Sequence, residues 1–274
     1  MQAAGDPIVF EQRVKSLSDQ EVNAVNLSVL GATTTISHDI FRSLLVPHQV
    51  HTIFYGIEMR ALRSGEDATH WMQTFHDAPL GYTLPRQPGL EQSVLLWLME
   101  HSTLVQYRTN IRDWLSGQFP VDDPLSMIDI RGKWLLDGIH SRDSQVIRDQ
   151  FVPFQTDNDL KSGLEAIFSI CQQPEMRCFI LNMPLHEAAH QYIPPQDMSA
   201  YKNLLLTLAS RAHLQVWDFD TAACFESLGD SAFFDLNHLN NSGAQKFTEW
   251  LAALYAGHIG NGLCADQLVQ PEGR

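Results

Sequence analysis

The sequence lacks the features of a membrane-spanning or nucleic-acid-binding protein. No run of eighteen or more apolar residues occurs, so we predict no transmembrane helix. The first seven residues have no basic region and no apolar core, and they do not resemble a signal peptide. Basic residues are scarce, since 18 Lys and Arg face 32 Asp and Glu for a formal net charge of -14. Such a surface repels phosphate and anionic lipid, which disfavours nucleic acid and membrane surfaces as partners.

Cysteine is also scarce, and no C-x-x-C pair occurs. Reduced, buried thiols are therefore predicted rather than a disulfide framework. We expect a cytoplasmic protein, or an extracytoplasmic or membrane-anchored one if a leader has been lost upstream. The 274 residues are 44% hydrophobic, enough to form one domain over 1–274 around a substantial core. The four cysteines are Cys171, Cys178, Cys224 and Cys264.

Short apolar runs alternate with helical patterns. The runs at 25–30, 50–56, 177–183 and 214–219 are rich in β-branched or aromatic residues and are bounded by turn formers. Their near-continuous hydrophobicity is typical of parallel strands covered on both faces. Alternating strands and helices indicate a doubly wound α/β sandwich. Helices are predicted over 6–15, 37–45, 199–212 and 242–256.

The pattern changes between about 60 and 173, which we interpret as a helical insertion. Proline and glycine punctuation gives way to a long helical run at 90–115, and further helices are predicted at 142–150 and 159–171. The insertion could form a lid or one wall of a substrate cleft. It could equally consist of helices that only cover one face of the sheet.

A D-x-x-H pair, Asp235 and His238, precedes the last predicted helix. A carboxylate three residues before a histidine on a turn can accept the Nδ1–H of the imidazole and leave Nε2 as a proton acceptor. This is the orienting half of a Ser-His-Asp arrangement. Gly243 is expected to let the chain turn into the helix. An Asp–His hydrogen bond that only caps the helix is the alternative.

The segment resembles the last conserved block of the SGNH superfamily of ester hydrolases and acyltransferases. It is most similar to a bacterial subgroup that includes the D-alanine transfer and alginate O-acetylation proteins. The resemblance covers about residues 5–60 and 176–256. It implies a three-layer α/β/α flavodoxin-like sandwich with a parallel sheet, here with its first strand missing. The matching residues are Asp235, His238, Leu239, Asn240, Gly243 and Ala244.

The resemblance also implies an oxyanion and binding site. The residues Asn26 to Thr33 look like the second block of the family, in which Gly31 would donate its backbone N–H to the oxyanion. The third block normally ends in Gly-x-Asn, but here Gly56 is followed by Glu58, and a carboxylate donates only when protonated. Asn240 is a further candidate binding residue. Plain turn glycines remain an alternative for Gly31 and Gly56.

The nucleophilic serine of the family has no counterpart. The family has Gly-Asp-Ser or Gly-Ser-Ser at the end of its first strand, whereas this sequence reads Gly5-Asp6-Pro7. Ser28 lies inside a predicted strand rather than at its carboxyl end, and Thr33 to Thr35 have no activating partner. We therefore expect the nucleophile to lie upstream or to be lost, and the sequence as printed to be inactive.

A second motif competes with the first. His186, Glu187 and His190 spell H-E-x-x-H, which on a helix could bind Zn²⁺ with Glu187 as general base. The motif directly follows Pro184, and no third ligand is indicated by spacing, so a surface loop near the active site is the alternative.

These patterns leave three functional hypotheses. The first is an SGNH-type esterase or O-acyltransferase that acts on a small-molecule or glycan ester of the cell envelope without a cofactor. The second is a non-catalytic binding module of the same fold. The third is a zinc hydrolase.

Overall fold

The structure is a computed structural model, and it describes residues 5–27, 32–46, 50–63, 136, 138–140, 142–258 and 263–269. Contacts divide the chain into two units, Met1–Glu66 with Ile128–Arg274 and Asp67–Met127. All described residues belong to the first unit. The predicted helical run at 90–115 lies outside them.

Seven α-helices and four strands form the described part of a mixed α/β fold. Short 3-10 helices at Met59–Leu62, Glu187–Gln191 and Asp230–Ala232, and a π-helix at Phe41–Leu45, complete it. The strands are β1 (Thr52–Ile57), β2 (Arg177–Asn182), β3 (Val216–Asp218) and β4 (Asp266–Val269). The α-helices are α1 (Pro7–Ser18), α2 (Thr34–Ile40), α3 (Ser144–Phe151), α4 (Asn158–Cys171), α5 (Pro195–Arg211), α6 (Ala222–Leu228) and α7 (Asn241–Tyr255).

Helix starts follow the capping residues in the sequence. Asp6 precedes Pro7, and its carboxylate accepts the backbone N–H groups of Ile8 and Val9 at the start of α1. The carboxylate of Asp157 accepts the N–H of Leu160 in the same way at the start of α4. These side chains pair donors that helix geometry leaves unpaired, so the helix boundaries are encoded locally.

The sheet has the order β1-β2-β3-β4. Three strands run parallel, with Thr52 opposite Arg177 and Ile180 opposite Val216, as the apolar runs predict. The fourth strand, β4, is antiparallel to β3 and was not predicted. Residues 25–27 of the other predicted strand are irregular, and residues 28–30 lie outside the described part of the chain.

Alternate strand residues contribute to two different hydrophobic clusters. Ile180 and Val216 pack in one cluster with residues of α3, α4 and α5. Phe179, Leu181 and Trp217 pack in the other with residues of α6 and α7. This alternation follows from strand geometry, in which successive side chains point to opposite faces of the sheet. The helices predicted at 142–150 and 159–171 are α3 and α4, so this end of the predicted insertion is part of the core.

The prediction of reduced cysteines is wrong. Cys171 bonds to Cys178, joining the end of α4 to β2, and Cys224 bonds to Cys264, joining α6 to the segment before β4. Spacing along the chain could not reveal the second pair, because its members are 40 residues apart. Among the described residues, no helix is both long and apolar enough to cross a membrane.

Candidate functional site

The loop between α6 and α7 contains the predicted acid–base pair. It begins with the 3-10 helix Asp230–Ala232. Phe233 then pairs with Leu239 in an antiparallel bridge, and the backbone N–H of Phe234 donates to the carbonyl of His238 at 2.8 Å. These contacts close the loop on itself, so the residues at its tip form a tight turn.

Asp235 orients His238 within that turn. Its Oδ1 accepts the backbone N–H of Asn237 at 2.9 Å and that of His238 at 2.8 Å. The same carboxylate lies 2.8 Å from His238 Nδ1 through Oδ2 and 3.0 Å through Oδ1. A carboxylate accepts hydrogen bonds only, so the proton of the neutral ring is on Nδ1 and Nε2 is the acceptor. The structure thus brings together the two residues that the D-x-x-H spacing pairs.

The other ring nitrogen is buried and unpaired. Within the described part of the chain, His238 Nε2 has no exposed surface and no hydrogen-bond partner. Leaving a buried polar atom unpaired costs about 1–3 kcal/mol, and proteins pair the great majority of such atoms. An unpaired acceptor on an oriented imidazole is what a general base offers to a hydroxyl proton.

The charge state of Asp235 suits this role. Burial favours the neutral acid, but the hydrogen bond and charge of His238 outweigh it, together with the two backbone N–H groups. The pKa of Asp235 therefore lies below its ordinary value of 3.8. The carboxylate is ionised near neutral pH and stabilises the imidazolium that forms when His238 takes a proton.

The side chain of Asn240 makes three hydrogen bonds to backbone groups around the loop. Its Oδ1 caps α7 by accepting the N–H of Gly243 at 3.0 Å. Its Nδ2 donates to the carbonyls of Gly138 at 3.0 Å and Ser231 at 2.7 Å, which uses both amide hydrogens. These three bonds give Asn240 a structural role, and the binding role that the resemblance implies for it stays a prediction.

Gly243 also has a different role from the predicted turn. It lies inside α7, where a Cβ atom would stand 2.1 Å from the carbonyl oxygen of Ala232. The glycine is needed because the loop backbone and the first turn of α7 approach too closely for any side chain. This contact, with the cap of Asn240, positions the Asp235–His238 turn against the helix.

No family model, curated protein or solved structure matches the chain. The interpretation of the site therefore depends on its geometry and on the residue-by-residue resemblance of the segment from Asp235 to Ala244.

A buried polar network lies where the parallel strands end. Asn182, the last residue of β2, donates through Nδ2 to Asp218 Oδ1 at the end of β3, at 2.7 Å. The hydroxyl of Tyr201 in α5 donates to Asn182 Oδ1 at 2.7 Å and lies 3.3 Å from the carbonyl of Ile57. Burial, and after it the charge of Asp218, raises the pKa of Tyr201 well above its ordinary value. The tyrosine therefore stays neutral and acts as a donor that joins the ends of three strands.

Charged groups extend this network beyond β3. Lys202 Nζ contacts Asp218 Oδ2 at 2.9 Å and Asp220 Oδ2 at 3.8 Å. Asp220 Oδ1 also accepts from His190 Nε2 at 2.9 Å, and this bond raises the pKa of His190. Sequence analysis missed these residues, although Asp218 and Asp220 stand at and just after the end of an apolar strand, where ligand-binding side chains concentrate in parallel sheets.

Glu58 directly follows β1 and is an ion-paired carboxylate. Its Oε1 contacts the guanidinium of Arg60 at 2.8 Å and 3.1 Å, and Arg60 also donates to Gln150. Burial opposes ionisation, but the charges of Arg60 and His238 keep the pKa of Glu58 below its ordinary value. Glu58 therefore lies in the electrostatic environment of His238 and cannot donate to an oxyanion. Gly56 lies within β1 rather than in a turn, and Gly31 lies outside the described residues.

Two of the alternative nucleophiles, Thr33 and Thr34, have structural roles. Thr33 caps α2 through its hydroxyl, and the hydroxyl of Thr34 donates to the carbonyl of Leu160 at 2.6 Å. Ser28 lies outside the described residues.

The H-E-x-x-H segment does not form the α-helix that a zinc pair requires. It forms the 3-10 helix Glu187–Gln191, with His186 as its cap. His186 Nε2 contacts Asp230 Oδ1 at 2.8 Å, while His190 contacts Asp220. The two imidazoles therefore bind carboxylates of different loops, and no group of three His, Cys, Asp or Glu among the described residues could hold a metal ion. The segment therefore connects the loop that contains Asp230 to Asp220, just after β3.

Proposed function

We propose that this chain is an SGNH-type ester hydrolase or O-acyltransferase in which Asp235 orients His238 as the general base and acid. The main support is the buried, unpaired Nε2 of an imidazole whose Nδ1 is held by an ionised carboxylate. The helical coverage of both sheet faces supports the three-layer arrangement of that superfamily. In this proposal the neighbouring strands β1, β2 and β3 would be its third, fourth and fifth strands.

In the proposed reaction His238 takes up one proton and later returns it. His238 Nε2 takes the proton of a serine hydroxyl while the serine oxygen bonds to the ester carbonyl carbon. The tetrahedral intermediate collapses, the carbon–oxygen bond to the alcohol breaks, and the imidazolium returns its proton to that alcohol. A water or an acceptor hydroxyl then repeats these steps on the acyl-serine. Water gives hydrolysis, and a sugar or polymer hydroxyl gives O-acyl transfer.

The nucleophile of this proposal is a serine ahead of α1. The six printed residues that precede α1 contain no serine. The Gly-Asp-Ser at 229–231 enters the 3-10 helix Asp230–Ala232 and does not end a strand, so it does not match the nucleophile block of the superfamily. For the sequence as printed we therefore expect negligible turnover of p-nitrophenyl acetate.

The proposed substrates are acylated glycans or polymers of the cell envelope. The resemblance to the D-alanine transfer and alginate O-acetylation proteins supports this class by analogy. The two disulfides support an extracytoplasmic setting, because disulfides persist in oxidising compartments. The net charge of -14 supports a substrate other than nucleic acid.

The ring of His238 tests the acid–base assignment in the chain as it exists. A long-range ¹H–¹⁵N correlation on ¹⁵N-histidine protein should show a protonated Nδ1 and an unprotonated Nε2 at neutral pH. Asp235→Asn should lower the share of that tautomer, and the His213→Gln variant at an exposed position provides a matched control. A dominant Nε2–H tautomer in the unmodified protein would contradict the proposal.

The enzymatic step is tested by a longer chain. Codons upstream of Met1 should encode a strand ending in Gly-Asp-Ser or Gly-Ser-Ser, and the protein extended by them should hydrolyse p-nitrophenyl acetate. His238→Gln should remove that activity. An extended, folded and serine-containing chain without turnover on acetyl esters would exclude the esterase.

A non-catalytic binding module of the same fold is the second candidate. The observation that favours it is Glu58, an ionised carboxylate at the position where the superfamily has an amide donor for the oxyanion. A stop codon in place of the upstream strand would support this candidate over the enzyme.

A further inference from the structure

Two consecutive residues of the loop tip have buried nitrogen atoms without partners. Besides His238 Nε2, the side-chain amide nitrogen of Asn237 has no hydrogen-bond partner within the described part of the chain. Asn237 is only 5% exposed, so its side chain lies in the protein interior. A buried amide donor that the fold does not use lowers stability, and each such group in a native protein calls for a physical reason.

Two other polar side chains of the loop, Asp235 and Asn240, are hydrogen-bonded by comparison. Asp235 accepts from two backbone N–H groups and from the imidazole, and both amide hydrogens of Asn240 are used. Among the residues that the structure describes, two other buried side-chain nitrogens lack partners: Trp217 Nε1 in the core, and Arg142 Nε, whose guanidinium contacts Asp230. Only Asn237 and His238 are neighbours in sequence. Their Cα atoms are about 3.8 Å apart, and both residues belong to the same tight turn.

We infer that the side-chain amide of Asn237 binds the substrate by donating a hydrogen bond to the carbonyl oxygen of the acyl group. The amide has no partner within the described part of the protein for this reason. This inference rests on the proposed function and adds a residue to the same site. The two nitrogens are complementary, since His238 Nε2 accepts a hydroxyl proton and Asn237 Nδ2 donates to an oxygen. An amide at 237 would also supply the donor that the ionised Glu58 cannot supply.

A substrate-binding amide and a structural amide give opposite results on removal. Asn237→Leu replaces the amide with an apolar group of similar size, which removes an unpaired donor from the interior. The unfolding midpoint should stay unchanged or rise by a few degrees, as is common when a functional polar group is removed. An amide that stabilised the fold would instead lower the midpoint. Asn203→Leu makes the same change at an exposed position of α5 and serves as the control.

Binding of triacetin, a water-soluble ester, provides the functional measurement. The Cε1–H resonance of His238 should shift saturably with triacetin in the unmodified chain and in Asn203→Leu. In Asn237→Leu the dissociation constant should rise at least tenfold, and Asn237→Asp should remove the shift because a carboxylate repels the carbonyl oxygen.

The other outcomes would contradict either the role of Asn237 or the proposed function. Unchanged affinity in Asn237→Leu would overturn the role of Asn237 and leave the proposed function intact. A lowered unfolding midpoint in that variant would show a structural amide and also overturn it. No response of His238 to triacetin in the unmodified chain would contradict the proposed function, and the role of Asn237 with it.

Discussion

Gly243→Ala is the sharpest test of how the loop is held. A Cβ atom at this position would stand 2.1 Å from the carbonyl oxygen of Ala232 and 3.0 Å from its carbonyl carbon. Relief to an ordinary contact needs a backbone displacement of about 1 Å or more. The same oxygen accepts the N–H of Asn240 at 2.9 Å, so the displacement also strains a hydrogen bond of the loop.

The opposing effects can be compared in size. Overpacking costs about 1–3 kcal/mol and a strained hydrogen bond about 1 kcal/mol, whereas alanine in a helix gains at most about 1 kcal/mol over glycine. We expect a net loss of about 2 kcal/mol in the free energy of unfolding, measured by urea denaturation.

The matched control is Gln245→Ala, an exposed change two residues later in α7, which should stay within about 0.5 kcal/mol of the unmodified protein. The ring resonances of His238 should move in Gly243→Ala and not in the control. Equal or higher stability of Gly243→Ala would refute the close approach that the structure shows.

Three further perturbations probe the cap, the cross-links and the carboxylate. Asn240→Ala should lower the free energy of unfolding by about 2 kcal/mol or more, because it removes a helix cap and leaves two carbonyls unpaired; a loss under about 0.5 kcal/mol in urea denaturation would argue against the three bonds. Cys264→Ser should lower the free energy of unfolding by about 4 kcal/mol and Cys178→Ser by about 2.5 kcal/mol through loop-closure entropy, since the bridged cysteines are 40 and 7 residues apart. Equal unfolding midpoints with and without reductant in the unmodified protein would show that the disulfides do not form. The lowered pKa of Asp235 contributes stability that is present above its unfolded value of 3.8 and is lost as the pH falls through the folded pKa. Asp235→Asn should therefore lose less stability than the unmodified protein on acidification from pH 5 to about 2, and parallel pH curves would contradict the ion pair.

Much of the fold could be predicted because its signals are local. The apolar run at 177–183 became β2, and the pattern at 242–256 became α7, since strand and helix periods involve neighbours within a few residues. The Asp235–His238 pair belongs to the same class, because its two members are three residues apart on one turn.

The features that local patterns did not predict share a non-local cause. The letters H-E-x-x-H match a helical zinc pair, but the segment forms a 3-10 helix. Its two histidines, His186 and His190, contact carboxylates 44 and 30 residues away. The hydrogen bond from Asn240 to the carbonyl of Gly138 joins residues that are 102 apart, which no local pattern indicates.

The sequence alone determined the parallel strand–helix alternation, the helix caps and the carboxylate that orients the imidazole, because each depends on residues close along the chain. Only the tertiary structure decided the disulfide pairs, the antiparallel β4, the ion pair of Glu58 and the unpaired nitrogens of Asn237 and His238. Those features depend on which distant groups meet, and on which buried atoms meet none, so burial and pairing in three dimensions determine them.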